Sequence, residues 1–175
     1  MPSLGSRKLI PLFFLFLISL PIGFFALEPT YALEVRNLDK GEVIYCREIS
    51  TKDRFTLSFV HSMYGTLVYE VFEVCSVGEF AHVSTICESA SAAEYFSMGF
   101  KPIHFNGSTY IIAGTGSLVK IPMLVTARSR WTLTLENRRI QLSSLVGDGD
   151  RVEVSVAKNL RIICYLRSIL YGEKR

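Results

Sequence analysis

The sequence lacks most of the short motifs that mark common enzymes. It contains no Gly-x-Ser-x-Gly segment, which excludes the nucleophile turn of an α/β-hydrolase. The Gly-x-Gly segment at residues 114–116 has no third glycine and no βαβ setting, so it indicates a turn and not a dinucleotide site. The formal net charge is only +3, which is too small to argue for a nucleic-acid partner.

The cysteines follow no metal-binding spacing, and none lies at the end of the N-terminal apolar run, where a lipoprotein would carry one. An even number of cysteines in an exported chain allows two disulfides, with three possible pairings. The sequence therefore predicts no metal and no other cofactor, and it leaves the pairing open for the four residues Cys46, Cys75, Cys87 and Cys164.

A long uncharged segment precedes the rest of the chain. Residues 9–26 carry no charge and follow a short basic segment, and residues 30–32 (Thr-Tyr-Ala) supply the small residues of a signal-peptidase site. The apolar run is near the lower limit for spanning a bilayer, and two prolines interrupt it. We therefore expect residues 1–32 to be a signal peptide or membrane anchor. Residues 33–175 would then form a single extracytoplasmic domain, in the periplasm or on the outer face of the cell membrane.

Beyond residue 33, short β-branched and aromatic runs alternate with Gly, Asn and Asp turns, which is typical of antiparallel strands. Nine or ten such runs predict an all-β domain, either a sandwich or a partly open barrel. Residues 89–96 are rich in Ala and predict one short helical insertion, capped by Ser89 or Ser91. The basic tail, residues 158–175, mixes both periodicities, and we favour a strand with a frayed end over a helix lying on lipid.

The most regular segment, residues 55–75, predicts a β-hairpin that turns at residues 64–65. A two-residue turn there places His61 opposite Val68 and diagonal to Glu70 on the same apolar face, roughly 7–8 Å from it at the backbone. Each of these two ionisable groups would be a suitable hydrogen-bond partner for the other. The pair would either fix the register of the hairpin or line a ligand cleft.

Two further residues complete the candidate site. The next hairpin pairs Thr85 with Glu70, so that the hydroxyl can donate to the carboxylate. Ser62 points to the opposite face from His61, which disfavours a hydrolytic triad. His82 faces away from His61 in this register, which disfavours a shared metal site. No catalytic or metal-binding residue is therefore predicted, and the predicted ligand-binding residues are His61, Ser62, Glu70 and Thr85.

The pattern around the hairpin resembles a known family. A strand that ends in His61-Ser62 and is followed by Glu70 and Phe72 resembles bacterial and archaeal domains of unknown function that are encoded beside, or fused to, TAXI-type TRAP transporter permeases. The likeness continues in the alternation of residues 131–135 and 149–156. The resemblance implies a position beside a solute transporter on the outer side of a membrane, and it implies no activity.

We therefore predict an exported accessory or binding domain of unknown activity at the membrane surface. Its expected partner is a TRAP permease or the solute receptor of that transporter. Residues 99–108 predict a long loop, the kind of segment in which binding residues are often found. The alternatives are a small metal-binding β domain and a small hydrolytic β domain.

Overall fold

A computed structural model of the protein describes residues 27–172, which form eleven β-strands and two α-helices. A short 3₁₀ helix, Leu142–Ser144, follows the tenth strand. The elements in chain order are β1 (Pro29–Asn37), β2 (Glu42–Glu48), β3 (Arg54–Val60), β4 (Leu67–Ser76), β5 (Glu79–Cys87), α1 (Ala90–Ser97), β6 (Ile103–Phe105), β7 (Tyr110–Leu118), β8 (Lys120–Leu124), β9 (Thr132–Leu135), β10 (Arg138–Gln141), β11 (Arg151–Leu160) and α2 (Arg161–Gly172).

The strands form two antiparallel sheets, which confirms an all-β domain. One sheet has the order β2-β1-β11-β8 and the other has the order β10-β9-β3-β4-β5-β7-β6. A single buried cluster is built from both sheets, because each contributes the apolar side chains of one face. Its largest fully buried members include Leu33 from the four-stranded sheet and Phe55, Phe72 and Phe80 from the seven-stranded sheet.

The buried face of the seven-stranded sheet, called here the inner face, is covered in two parts. Side chains from one end of β3, β4 and β5 pack in the cluster shared with the four-stranded sheet. At the other end, Ala92 and Ala93 of α1 pack on Val68, Cys87 and Ile112 in a second, smaller cluster. Because alternate residues of a strand share a face, Glu70 of β4 lies on the inner face between these two clusters.

The predicted helical insertion is confirmed in α1. Ser89 precedes the helix in extended conformation, and its Oγ accepts a hydrogen bond from the backbone N–H of Ala92 at 3.3 Å, as an N-cap should. The prediction for the tail was wrong, because β11 ends at Leu160 and residues 161–172 continue as a second helix. Burial explains the helix, since Cys164 packs against the outer side of the four-stranded sheet.

Residues 1–26, which hold most of the predicted signal peptide or anchor, lie outside the described residues. The predicted boundary between residues 32 and 33 falls within β1, where Ala32 is fully buried and pairs with Ala157 of β11. Between residues 27 and 172, no helix has the length and the apolar character needed to cross a bilayer.

Two predicted turns and loops differ from the structure. The glycine segment at residues 114–116 lies within β7, which runs through it without a break. The predicted loop 99–108 contains the short strand β6, which forms the end of the seven-stranded sheet.

Pro122 lies in β8, an outermost strand of the four-stranded sheet, which is the edge position expected for a proline.

Candidate functional site

The hairpin between β3 and β4 turns through four residues, 62–65, and not through two. The backbone N–H of His61 donates to the carbonyl of Thr66 at 2.9 Å, and Gly65, with a φ of 66°, donates back to the carbonyl of His61 at 2.8 Å. The register between β3 and β4 is therefore shifted by two residues from the predicted register, so that Leu57 faces Glu70. A shift of two keeps every side chain on its predicted face but changes its neighbours.

The predicted contact between His61 and Glu70 is wrong for this reason. Leu57 lies opposite Glu70 and four residues before His61, so about 13 Å of strand separates the imidazole from the level of the carboxylate. No hydrogen bond or salt bridge joins the two side chains among the described residues. The site thus consists of two separate groups, one around His61 and one around Glu70.

His61 lies in an aromatic cluster that joins the hairpin to α1. Its ring centroid is 4.9 Å from that of Tyr64, 5.0 Å from that of Tyr95 and 5.7 Å from that of Phe96. Its Nδ1 accepts a hydrogen bond from the backbone N–H of Met63 at 3.3 Å, so the remaining proton of the neutral ring is on Nε2. His61 is 8% exposed and therefore serves mainly to hold the hairpin tip against the helix.

Ser62 is exposed at the tip of the hairpin. Its backbone carbonyl accepts a hydrogen bond from Arg128 Nη2 at 3.2 Å, which ties the tip to the segment before β9. Among the described residues, no hydrogen bond joins the hydroxyl of Ser62 to His61. Nothing in this arrangement activates Ser62 as a nucleophile.

Glu70 and Thr85 are directly opposite each other on β4 and β5, as predicted, but the expected hydrogen bond from the Thr85 hydroxyl to the Glu70 carboxylate is not formed between them. The predicted orientation of the His82 side chain is wrong. A β-bulge at Val83 turns its ring to the inner face, where the ring centroid lies 5.1 Å from that of Phe72. His82 Nε2 is 3.1 Å from Thr85 Oγ1. The alternation of side chains between the two faces of a strand, which was used to predict the orientation of His82, does not reveal this bulge.

The hydrogen bonds of His82 determine which of its nitrogens carries the proton. Nδ1 accepts from the backbone N–H of Thr115 at 3.2 Å, so in the neutral ring the proton is on Nε2, which lies 3.1 Å from Thr85 Oγ1. A general base would need the reverse arrangement, with Nδ1 bound to a carboxylate and Nε2 free to accept a proton. Burial also lowers the pKa of His82, which favours the neutral ring. The geometry therefore does not provide a Thr-His catalytic pair.

Glu70 is half-buried, and no hydrogen bond or salt bridge joins its carboxylate to another described residue. Burial accordingly raises the pKa of Glu70 above its usual value of 4.5. The pKa of the Cys87 thiol is raised to about 11, first by burial and then by the negative charge of Glu70. Among residues 27–172, no three His, Cys, Asp or Glu side chains are grouped closely enough to hold a metal ion.

The Glu70→Gln variant is expected to be more stable than the wild type at pH 8 by about 1–2 kcal/mol, the cost of an unpaired buried charge. Because folding raises the pKa of Glu70, its contribution to stability is fully present below pH 4.5 and is lost as the pH rises through the raised pKa. The difference between the two proteins should therefore shrink at acidic pH. Urea unfolding of both proteins at several pH values measures this difference in the free energy of unfolding.

Glu73→Gln is the matched control for Glu70→Gln. Glu73 lies on the same strand but on the outer face, where its Oε2 accepts a hydrogen bond from Arg54 Nε at 2.8 Å. Its loss should not stabilise the protein at pH 8, because the wild-type charge is paired and exposed to solvent. A Glu70→Gln variant that is less stable than the wild type at pH 8 would show that the carboxylate is paired in solution.

A group of large apolar side chains is exposed beside the His61 cluster. They lie on three adjoining segments, namely the hairpin tip, the end of α1 with the loop after it, and the strand β6. Tyr95 belongs both to this group and to the His61 cluster, and Phe100 is 91% exposed. We call this surface the apolar end, and its exposed members are Met63, Tyr95, Met98, Phe100, Ile103 and Phe105.

No sequence pattern pointed directly to the apolar end, although a loop was predicted at residues 99–108 as a suitable place for binding residues. Comparison of the chain with protein-family models, with curated proteins and with solved structures gives no match in any of the three. The resemblance to TRAP-associated domains remains a prediction.

Proposed function

We propose that this chain is an extracytoplasmic binding domain that acts as an accessory to a solute transporter and uses the apolar end to dock on the transporter. The observation that carries the proposal is the exposure of six large apolar side chains on adjoining segments. Scattered single apolar residues are normal on a protein surface, but a patch of this kind marks a site of interaction.

The chemistry of the patch favours a protein partner. Aromatic and Met side chains are enriched at the centres of protein interfaces, and Phe100, Met98 and Tyr95 supply both types. The surface is also well supported, since the rings of His61 and Phe96 pack behind Tyr95 at centroid distances of 5.0 and 5.3 Å. A docking residue held by packed neighbours loses less conformational freedom on binding.

A binding role is favoured over catalysis by the state of the polar residues. His82 donates its Nε2 proton to Thr85 and cannot accept another there, and His61 uses Nδ1 within its own hairpin. In the proposal, His61 and Ser62 serve the docking surface, while Glu70 and Thr85 lie between the two buried clusters of the inner face. The two sheets are taken as the layers of a sandwich, one of the two predicted architectures.

The identity of the partner rests on the sequence. The expected signal peptide or anchor would place the domain outside the cytoplasm, at the membrane surface, and the resemblance to TRAP-associated domains implies a permease or its solute receptor. The modest net charge of +3 makes nucleic acid a poor alternative. Of the two protein partners, the membrane-embedded permease is the one proposed.

Co-purification with the permease tests the proposal. Phe100→Glu should reduce the amount of permease recovered with the tagged domain by roughly tenfold or more, because a charge replaces a central apolar contact. Val119→Glu is the control, since Val119 is 60% exposed but lies between β7 and β8, away from the apolar end. Equal recovery with both variants, or no permease with the wild type, would contradict the proposal.

A further inference from the structure

Two of the four cysteines are buried together beneath α2. Cys46 of β2 and Cys164 of α2 pack in one cluster with Ala32 and Val43, on the side of the four-stranded sheet that faces away from the main core. Cys46 is fully buried and Cys164 is 3% exposed. The two thiols are near enough for each to affect the pKa of the other.

The neighbours of α2 hold the two sulfurs in this position. Arg161, at the start of the helix, donates to Glu48 of β2 and to Glu28, and Arg167 Nη1 donates to Glu34 Oε1 at 3.2 Å. Glu34 is opposite Cys46 on the neighbouring strand. The ion pairs thus fix the helix on both sides of Cys164, one turn away in each direction.

The remaining cysteines are in different surroundings. Cys75 is exposed near the end of β4, and Cys87 is buried under α1 in the other sheet. Neither belongs to the cluster beneath α2. Of the three pairings that the sequence leaves open, the fold therefore supports the one that contains a bond between Cys46 and Cys164.

We propose that Cys46 and Cys164 form a disulfide that fastens α2 to the four-stranded sheet. The oxidant is another disulfide, either of a protein or of a small molecule such as oxidised glutathione. One cysteine attacks this disulfide as a thiolate and forms a mixed disulfide, releasing one thiol. The second cysteine then attacks the first sulfur and releases the other thiol. Two electrons and two protons pass from the protein to the oxidant.

The fold also determines when this bond can form. Burial is the main cause that raises the pKa of both thiols, so that the docked helix holds them in the unreactive thiol form. The thiolates become available when α2 is away from the sheet, and the disulfide then prevents the helix from leaving. Because β1 begins and β11 ends beside this helix, the bond also secures the start of β1.

Peptide mapping of the full chain provides the test. The protein is treated with oxidised glutathione in mild denaturant, returned to buffer, alkylated under denaturing conditions and digested with trypsin without reduction. Trypsin releases Cys46 in residues 41–47 and Cys164 in residues 162–167, whereas Cys75 and Cys87 stay together in one longer peptide. We expect the two short peptides to be linked. Alkylation of all four cysteines, or a link to Cys75 or Cys87, would overturn the proposal.

Thermal unfolding gives a second measurement, which does not depend on the docking proposal. Adding a reductant should lower the unfolding midpoint of the oxidised wild type by roughly 10 °C, because the bond closes a loop of more than a hundred residues. Cys75→Ser should show the same shift, and Cys164→Ser should show none. A wild type whose midpoint does not respond to the reductant would overturn the proposal even if a variant failed to fold.

Discussion

Replacing Phe72 by Ala is expected to lower the free energy of unfolding by about 3–5 kcal/mol. Phe72 is 2% exposed, its ring is stacked on that of Phe55 at a centroid distance of 5.1 Å, and it meets Phe80 edge-on at 5.6 Å. The ring belongs to the cluster that both sheets share, so its loss leaves a cavity that neither sheet can fill alone. Urea unfolding followed by circular dichroism measures the effect.

Phe100→Ala is the control, because it makes the same chemical change at a ring that is 91% exposed. Its free energy of unfolding should stay within about 0.5 kcal/mol of the wild-type value. A large loss of stability in Phe100→Ala would mean that this ring is buried in solution, and the apolar end would then be part of the core. Similar losses of stability in both variants would contradict the division between the buried core and the exposed apolar end.

Replacing Gly114 by Ala is expected to cost about 3 kcal/mol or more, the upper part of the range for overpacking. A Cβ at this position would lie 1.6 Å from the carbonyl oxygen of His82 and 2.8 Å from the carbonyl carbon of Val83. Both atoms belong to the backbone of the bulge in β5, so no side-chain rotation relieves the collision. Strand β7 must move away from β5, and the contact of His82 with Thr115 must change with it.

Gly147→Ala tests whether the effect is specific to this close approach. A Cβ at Gly147 would meet only the side-chain carboxylate of Asp150, at 3.3 Å, and this group can shift. We expect a change of less than about 1 kcal/mol, measured by urea unfolding as for Gly114→Ala. If Gly114→Ala were as well tolerated as Gly147→Ala, the bulge would not hold β7 as close to β5 as the structure has it.

The hairpin shows which features of a β-structure a sequence pattern can predict and which it cannot. Alternation along a strand is a local property, so the inner face of β3 and β4 was predicted correctly from residues 55–75 alone. The register depends on the length of the turn, and Gly65 suits either a two-residue or a four-residue loop, because both admit a positive φ near this position. The resulting shift of two residues preserved the faces but separated His61 from Glu70.

The bulge in β5 could not be predicted from the sequence pattern, for a different reason. One extra residue at Val83 reverses the orientation of the side chains on its N-terminal side, so His82 and Phe80 point inward, whereas strict alternation from Thr85 would turn both outward. The compensating feature is Gly114 on the neighbouring strand, more than thirty residues away. Only the paired sheet shows that this glycine belongs to a strand and not to a turn.

The tail and the apolar end illustrate a third limit. The residues of α2 mix the periods of strand and helix, and their state is decided by the packing of Cys164 on the four-stranded sheet. The segment 98–105 shows no periodicity that would predict exposure, because apolar residues are normally assigned to a core. An exposed apolar surface of this kind becomes visible only after the buried core has been identified.

Site-specific photo-crosslinking would show directly whether the apolar end contacts the permease. A benzophenone amino acid replaces Phe100 in one variant and Val119 in another, and both are expressed in cells that contain the transporter. We predict an adduct with the permease from position 100 and little or none from position 119. Adducts of equal yield from both positions, or adducts from position 100 that contain only lipid or further copies of this chain, would contradict it.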